Sequence, residues 1–172
     1  MSNSRLVYSA LGSNVGDRAA MLARAVAEMN RAGLRVRRQS SLYETEPVGG
    51  PPQPWFLNAV VEAETDLSSE RVLQALQQIE QEMGRQRTIP CGPRTLDLDI
   101  LLDGDRVIRG GELEIPHPRL AQRRFVLAPL AELAPALMHP LLRKTVAELL
   151  AEISDGGLVR LWNPEGGSAE GG

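Results

Sequence analysis

At 172 residues, 42% of them hydrophobic, with a formal net charge of -3, the chain is sized for one domain with a substantial core. The slightly acidic balance gives no general pull on nucleic acid, no apolar run approaches the ~20 residues of a membrane span, and the N-terminus lacks the apolar core of a signal peptide. The single cysteine, Cys91, excludes an intrachain disulfide, and His117 and His139 have no partner at metal-ligand spacing, so no zinc site is expected and a cytoplasmic location is.

Residues 6–11 read as a short apolar strand, and the turn-rich stretch Gly12-Ser13-Asn14-Val15-Gly16-Asp17 follows, with Asp17 placed to cap a helix. That helix begins near Arg18; Leu22, Val26 and Met29 recur at helical spacing, and Gly33 stands where a terminating residue belongs. Residues 34–43 alternate Leu34, Val36 and Leu42 with arginines and serines, as one edge strand would. Residues 44–54 carry Pro47, Gly49, Gly50, Pro51, Pro52 and Pro54, which excludes regular structure; a loop of that length in a compact domain is more often functional than filler. Residues 56–63 supply the next strand. Ser68 can cap a second helix with the stripe Val72, Leu76, Ile79 and Met83, ended by Gly84. Gln77 and Glu80 sit beside that stripe and, taken alone, read as exposed helix surface.

Residues 97–102 are strand-like and carry two carboxylates. In extended chain Asp97, Asp99 and Leu101 share one face and Leu98, Ile100 and Leu102 the other, with the aspartates roughly 6.6 Å apart. An isolated Asp-x-Asp is usually a strand edge meeting solvent, but here Arg85, Arg87 and Arg94 precede it and no acidic residue falls between Glu82 and Asp97. Hard carboxylate oxygens suit Mg²⁺, and arginine forks suit phosphate oxygens, so the constellation points to a metal-bound polyphosphate. The order β-α-β-β-α-β predicts an α+β fold with a ferredoxin-like antiparallel sheet and helices packed on one face. Beyond Gly104, extended pieces near Val107 and Leu113 lead to Ile115-Pro116-His117-Pro118. Extra C-terminal helices follow over 124–134 and 145–153, then an edge strand over 158–162, and the Gly-rich stretch 165–172 has nothing to bury.

Five segments in this order resemble the 6-hydroxymethyl-7,8-dihydropterin pyrophosphokinase family: Leu11-Gly12-Ser13-Asn14; the loop from Tyr43 to Pro51; Phe56-Leu57-Asn58-Ala59-Val60; Gly92-Pro93-Arg94-Thr95-Leu96-Asp97-Leu98-Asp99; and Ile115 to Arg119 with Arg123-Arg124-Phe125. The resemblance implies transfer of pyrophosphate from ATP to the pterin hydroxymethyl group in folate biosynthesis, by a single domain over 1–163 with a tail at 164–172. It implies two Mg²⁺ on Asp97 and Asp99, and charge stabilisation by Arg85 and Arg94. It also implies a nucleotide site formed by Gln77, Glu80, Arg87, Ile100, His117 and Arg123, and a pterin pocket formed by Thr45, Val48, Phe56, Asn58 and Phe125. A flat heterocycle edged with donors and acceptors needs apolar faces and an amide that both donates and accepts, which Phe56, Phe125 and Asn58 can supply. Taken singly, the phenylalanines read as core packing and His117 as a structural hydrogen-bonder. The chain departs from the pattern at Pro90-Cys91, where members often carry an aromatic residue, and Trp55 is the neighbour of Phe56 that could replace it. The expected partners are ATP and the reduced pterin, with no nucleic acid or membrane, acting on a monomer. Two other readings fit paired aspartates or such a sheet: a nucleotidyltransferase, which would release pyrophosphate where this family releases AMP, and an RNA-binding module, against which the acidic balance and scarce aromatics weigh.

Overall fold

The computed structural model describes residues 4–47, 52–83, 96–154 and 157–163. Val48, Arg85, Arg87, Arg94, Gly84, Cys91 and the tail at 164–172 lie outside them. Strand β1 (Arg5–Ser13) runs two residues further than its apolar run suggests, so Gly12 and Ser13 belong to the sheet. Helix α1 (Arg18–Arg31) starts where Asp17 predicts, its Oδ1 accepting the Ala20 N–H at 3.1 Å, and ends before Gly33, whose φ of 98° few side chains tolerate. The expected single strand over 34–43 is two, β2 (Arg35–Gln39) and β3 (Tyr43–Thr45). Ser40 causes the break: its hydroxyl, in place of a main-chain carbonyl, accepts the Val60 N–H at 3.0 Å, so the regular ladder stops and resumes at Tyr43. Strand β4 (Phe56–Thr65) and helix α2 (Ser69–Glu82), capped by Ser68, follow as predicted.

Strand β5 (Asp97–Asp103) holds a bulge. Tyr8 pairs with Leu102 but Ser9 with Ile100, so Leu101 is the extra residue and the alternation inverts beyond it. Leu102 therefore joins Leu101 on one face, not Leu98 and Ile100 on the other as simple alternation requires. Asp103 turns into the opposite layer, fully buried, where it accepts from Ser69 Oγ at 2.7 Å and pairs with Arg5, stapling β1, β5 and α2. A 3-10 turn (Leu120–Gln122), helices α3 (Arg124–Leu133) and α4 (Val146–Glu152), and strand β6 (Val159–Leu161) complete the described chain.

The six strands form one sheet in the order β5-β1-β4-β3-β6, with β2 also on β4, every pairing antiparallel. Helices cover both faces, not one. Alternation in β1 and β4 sends Val7, Leu11, Leu57, Ala59, Val61 and Ala63 against α1 and α2, and Tyr8 and Val60 against α3 and α4. Leu127 and Leu130 are fully buried in the second layer; truncating either to alanine costs about 2–5 kcal/mol, since the layer cannot collapse freely around the void. Helices α3 and α4 cover only part of their face, and the uncovered end is where the cleft lies.

Candidate active site

The floor of the cleft is one row of the sheet. Gly12 is paired with Asp97 on one side and with Asn58 on the other, and Ala10 with Asp99, so these positions share the face that α3 leaves open. Around them lies a cavity of about 410 Å³. Both half-buried aspartates line it, with Thr45, Phe56 and Asn58 on one side and His117, Arg123 and Phe125 on the other.

Asn58 is buried and donates from Nδ2 to Thr45 Oγ1 at 2.6 Å, which leaves the Thr45 hydroxyl proton to point elsewhere and turns Asn58 Oδ1 toward Gly12. A Cβ on Gly12 would come within 2.6 Å of that oxygen. Asn14, also buried, donates to Gln53 Oε1 (2.9 Å) and the Pro54 carbonyl (3.0 Å), tying the proline-rich connection to the end of β1. Phe56 and Phe125 both line the cavity, so the two aromatic faces inferred from sequence are brought to one space. Pro129, inside α3, has no N–H to give the Phe125 carbonyl.

The opposite wall is basic. His117 hangs from β5 through its N–H to the Leu101 carbonyl (3.0 Å), and its Nδ1 accepts the Arg119 N–H at 3.1 Å, so the neutral ring carries its proton on Nε2. Burial, then the charges of Arg123 and Arg119, push its pKa down to about 4. Burial likewise lowers Arg123 from its ordinary range, while Asp99 and Asp97 act in the opposite sense, so the guanidinium and the carboxylate floor feel each other's charge. The Arg123 guanidinium carbon stands 5.5 Å from the Phe125 ring centroid.

Among the described residues, three that were predicted do not line this cavity. Ile100 has its side chain in the core on the far side of the sheet, leaving only its main chain for contact with a ligand. Glu80 is buried and accepts the Leu98 N–H at 2.7 Å, between the two aspartates along β5. Gln77 reaches Glu112 at 3.5 Å on the exposed side of α2. Trp55 does not replace the missing aromatic either: its ring lies against Arg160, away from the cavity. Conversely, Gly12, Gln53, Arg119 and Gln122 line the cavity without having been singled out. For Arg119 the only signal was its place in the Pro-His-Pro-Arg stretch; for Gln53 and Gln122 there was none.

Among the described residues no group of three Cys, His, Asp or Glu is arranged around a metal. Two half-buried carboxylates facing an open, basic-walled space nevertheless fit Mg²⁺, which takes one or two protein carboxylates and completes its shell with water and phosphate oxygens.

The family model described as 7,8-dihydro-6-hydroxymethylpterin-pyrophosphokinase (HPPK) matches residues 8–135. The chain belongs to that family. It is 43% identical over 168 residues to the 2-amino-4-hydroxy-6-hydroxymethyldihydropteridine pyrophosphokinase of Bacillus subtilis, covering 97% of this chain and 96% of that one. The enzyme of the same name from Aquifex aeolicus is 40% identical over 146 residues, covering 85% and 91%. The Folate synthesis bifunctional protein, mitochondrial, of Arabidopsis thaliana is 43% identical over 169 residues, of which the match is 98% of this chain and 30% of that protein. A Plasmodium falciparum HPPK-DHPS crystal structure with pterin and p-hydroxybenzoate shares the fold at a TM-score of 0.66 and 18% identity, over 87% of this chain and 42% of that one. Every described residue that lines the cleft of this pyrophosphokinase-family chain lies inside the matched span, whereas α4 and β6 lie beyond it.

Proposed function

We propose that the chain transfers the β,γ-pyrophosphoryl group of ATP to the hydroxymethyl oxygen of 6-hydroxymethyl-7,8-dihydropterin, a step of folate biosynthesis. The observation that carries this reading, beyond family membership, is one cavity with two aspartates on its floor, two phenylalanine faces and an amide at one end, and a basic wall opposite. The pterin stacks between Phe56 and Phe125, with Thr45, Val48 and Asn58 meeting its polar edge. Asp97 and Asp99 hold two Mg²⁺, which supply neutralisation of the triphosphate when bound. His117 donates from Nε2 and Arg123 from its guanidinium to phosphate oxygens; Arg85 and Arg94 stabilise charge on the transferred group, and Gln77, Arg87 and the main chain at Ile100 serve the nucleotide. Glu80 fixes the stretch of β5 that carries both aspartates. The hydroxymethyl oxygen attacks the β-phosphorus in line; the new O–P bond forms as the bond to the α-phosphate oxygen breaks, AMP leaves, and the hydroxyl proton passes to solvent.

On the same reading the enzyme is a single cytoplasmic domain over 1–163, with a tail at 164–172, acting as a monomer on two small molecules. Among the described residues no helix is long and apolar enough to cross a membrane. We also infer that the sheet is ferredoxin-like, β2 and β3 together taking the part of its second strand. Incubation with MgATP and the reduced pterin tests the activity: AMP that depends on both substrates is expected, and pyrophosphate release would instead indicate nucleotidyl transfer. Asp97→Ala and Asp99→Ala should each lower AMP formation by roughly a thousandfold with an unchanged circular dichroism spectrum; wild-type turnover in either rejects the metal assignment.

A further inference from the structure

Behind the wall formed by Thr45 and Phe56, on the face of the sheet turned away from the cleft, lies a charged cluster. Glu44 is buried between two guanidinium groups, with Arg18 Nη2 3.0 Å and Arg160 Nη2 3.3 Å from its carboxylate oxygens. Arg18 also donates to the Trp55 carbonyl at 3.0 Å, and the Arg160 guanidinium carbon stands 4.6 Å from the Trp55 ring centroid. Among the described residues, buried Arg160 Nε has no hydrogen-bond partner. Such a donor is unfavourable by itself, so stacking on Trp55 and pairing with Glu44 must offset it.

The register shows what the cluster holds. Thr45 is paired with Phe56 and with Val159, and Glu44 with Arg160, so the clamped residues Glu44 and Trp55 each immediately precede one that lines the cavity. The C-terminal segment is fastened nearby. Glu46 N–H donates to the Leu158 carbonyl (3.2 Å), and Leu158 N–H to Glu46 Oε1 (3.1 Å). Across the cleft Arg124, beside Arg123 and Phe125, donates to the carbonyls of Ile153 (3.2 Å) and Gly157 (3.4 Å). One segment beyond the family match thus braces both walls.

We propose that Arg160, acting through Glu44 and Trp55, is a positioning residue that sets where Thr45 and Phe56 stand, so that the C-terminal strand helps determine pterin recognition. This rests on the pyrophosphokinase reading. The test is steady-state kinetics of the full chain with reduced hydroxymethylpterin and MgATP varied separately, for wild type, Arg160→Ala, Arg160→Lys and Glu44→Gln. A displaced wall should raise KM for the pterin roughly tenfold in Arg160→Ala and Glu44→Gln, with KM for ATP and kcat within about twofold. Arg160→Lys should recover part of the loss, since it keeps the charge but not the planar fork. A merely structural role would lower the unfolding temperature and leave both KM values unchanged; that result, or equal rises in both, overturns the proposal. If Arg160→Ala does not fold, the near-isosteric Glu44→Gln carries the same comparison. A wild type that forms no AMP refutes the activity itself, whereas an active wild type with unaltered variants refutes only the role of Arg160.

Discussion

A side chain at position 12 would displace Asn58, whose Oδ1 lies 2.6 Å from where a Cβ would go. The neighbour is the end of a rotatable side chain, so Gly12→Ala should fold, with Asn58 swung off its bond to Thr45 and its amide misaligned in the cavity. The expected outcome is a rise in KM for the pterin of about tenfold or more, from a lost or bent hydrogen bond to a buried partner, with KM for ATP unchanged; isothermal titration with each substrate separates the two. Sequence alone gave Gly12 and Asn58 as members of separate segments, and their antiparallel pairing makes them one device. His117 has the same lesson. Its flanking prolines were visible in sequence, but neutrality follows from burial and from Arg119 and Arg123, which only the folded wall brings close.

Among the elements, the helices were the more legible. Their caps are local: Asp17 and Ser68 act within three residues, and Thr145 with Glu148 forms a reciprocal pair at 3.1 and 2.8 Å. Thr145→Ala removes one of those bonds and should cost about 1 kcal/mol, read from urea denaturation at neutral pH, with activity retained because α4 packs against α3 away from the cavity. The strands were harder to read wherever a partner strand decides the outcome. The break at Ser40 depends on Val60, and the bulge that inverts β5 after Leu101 depends on Tyr8 and Ser9. Period-two patterning cannot register an extra residue that is defined by the opposite strand.

For the molecule as a whole, the titrating groups predict asymmetric acid sensitivity. His117 and His139 both have pKa values lowered by burial, so between about 4 and 6.5 the unfolded chain binds more protons than the native one and stability rises with pH. Glu62, held by Arg38 and Tyr8, and Glu132, held by Tyr43 and Ser41, are also depressed; their contribution is complete above the unfolded value of 4.5 and is lost as pH falls through the lower native values. Urea midpoints should therefore begin to fall below about pH 6.5 and fall more steeply below 4.5, whereas a flat profile from 7 to 5 would contradict buried neutral histidines. What the sequence determined by itself is whatever is set within a few neighbouring residues: the helix caps and stripes, the Asp-x-Asp pair on one strand face, and the segments that mark the family. What only the tertiary structure decided is whatever needs two distant segments at once: helices on both faces of the sheet, the Gly12 slot for Asn58, the placement of Glu80 and Trp55 off the cleft, and the C-terminal brace behind it. Local propensity and periodicity are carried by consecutive residues, while register, sidedness and burial exist only once strands from opposite ends of the chain lie side by side.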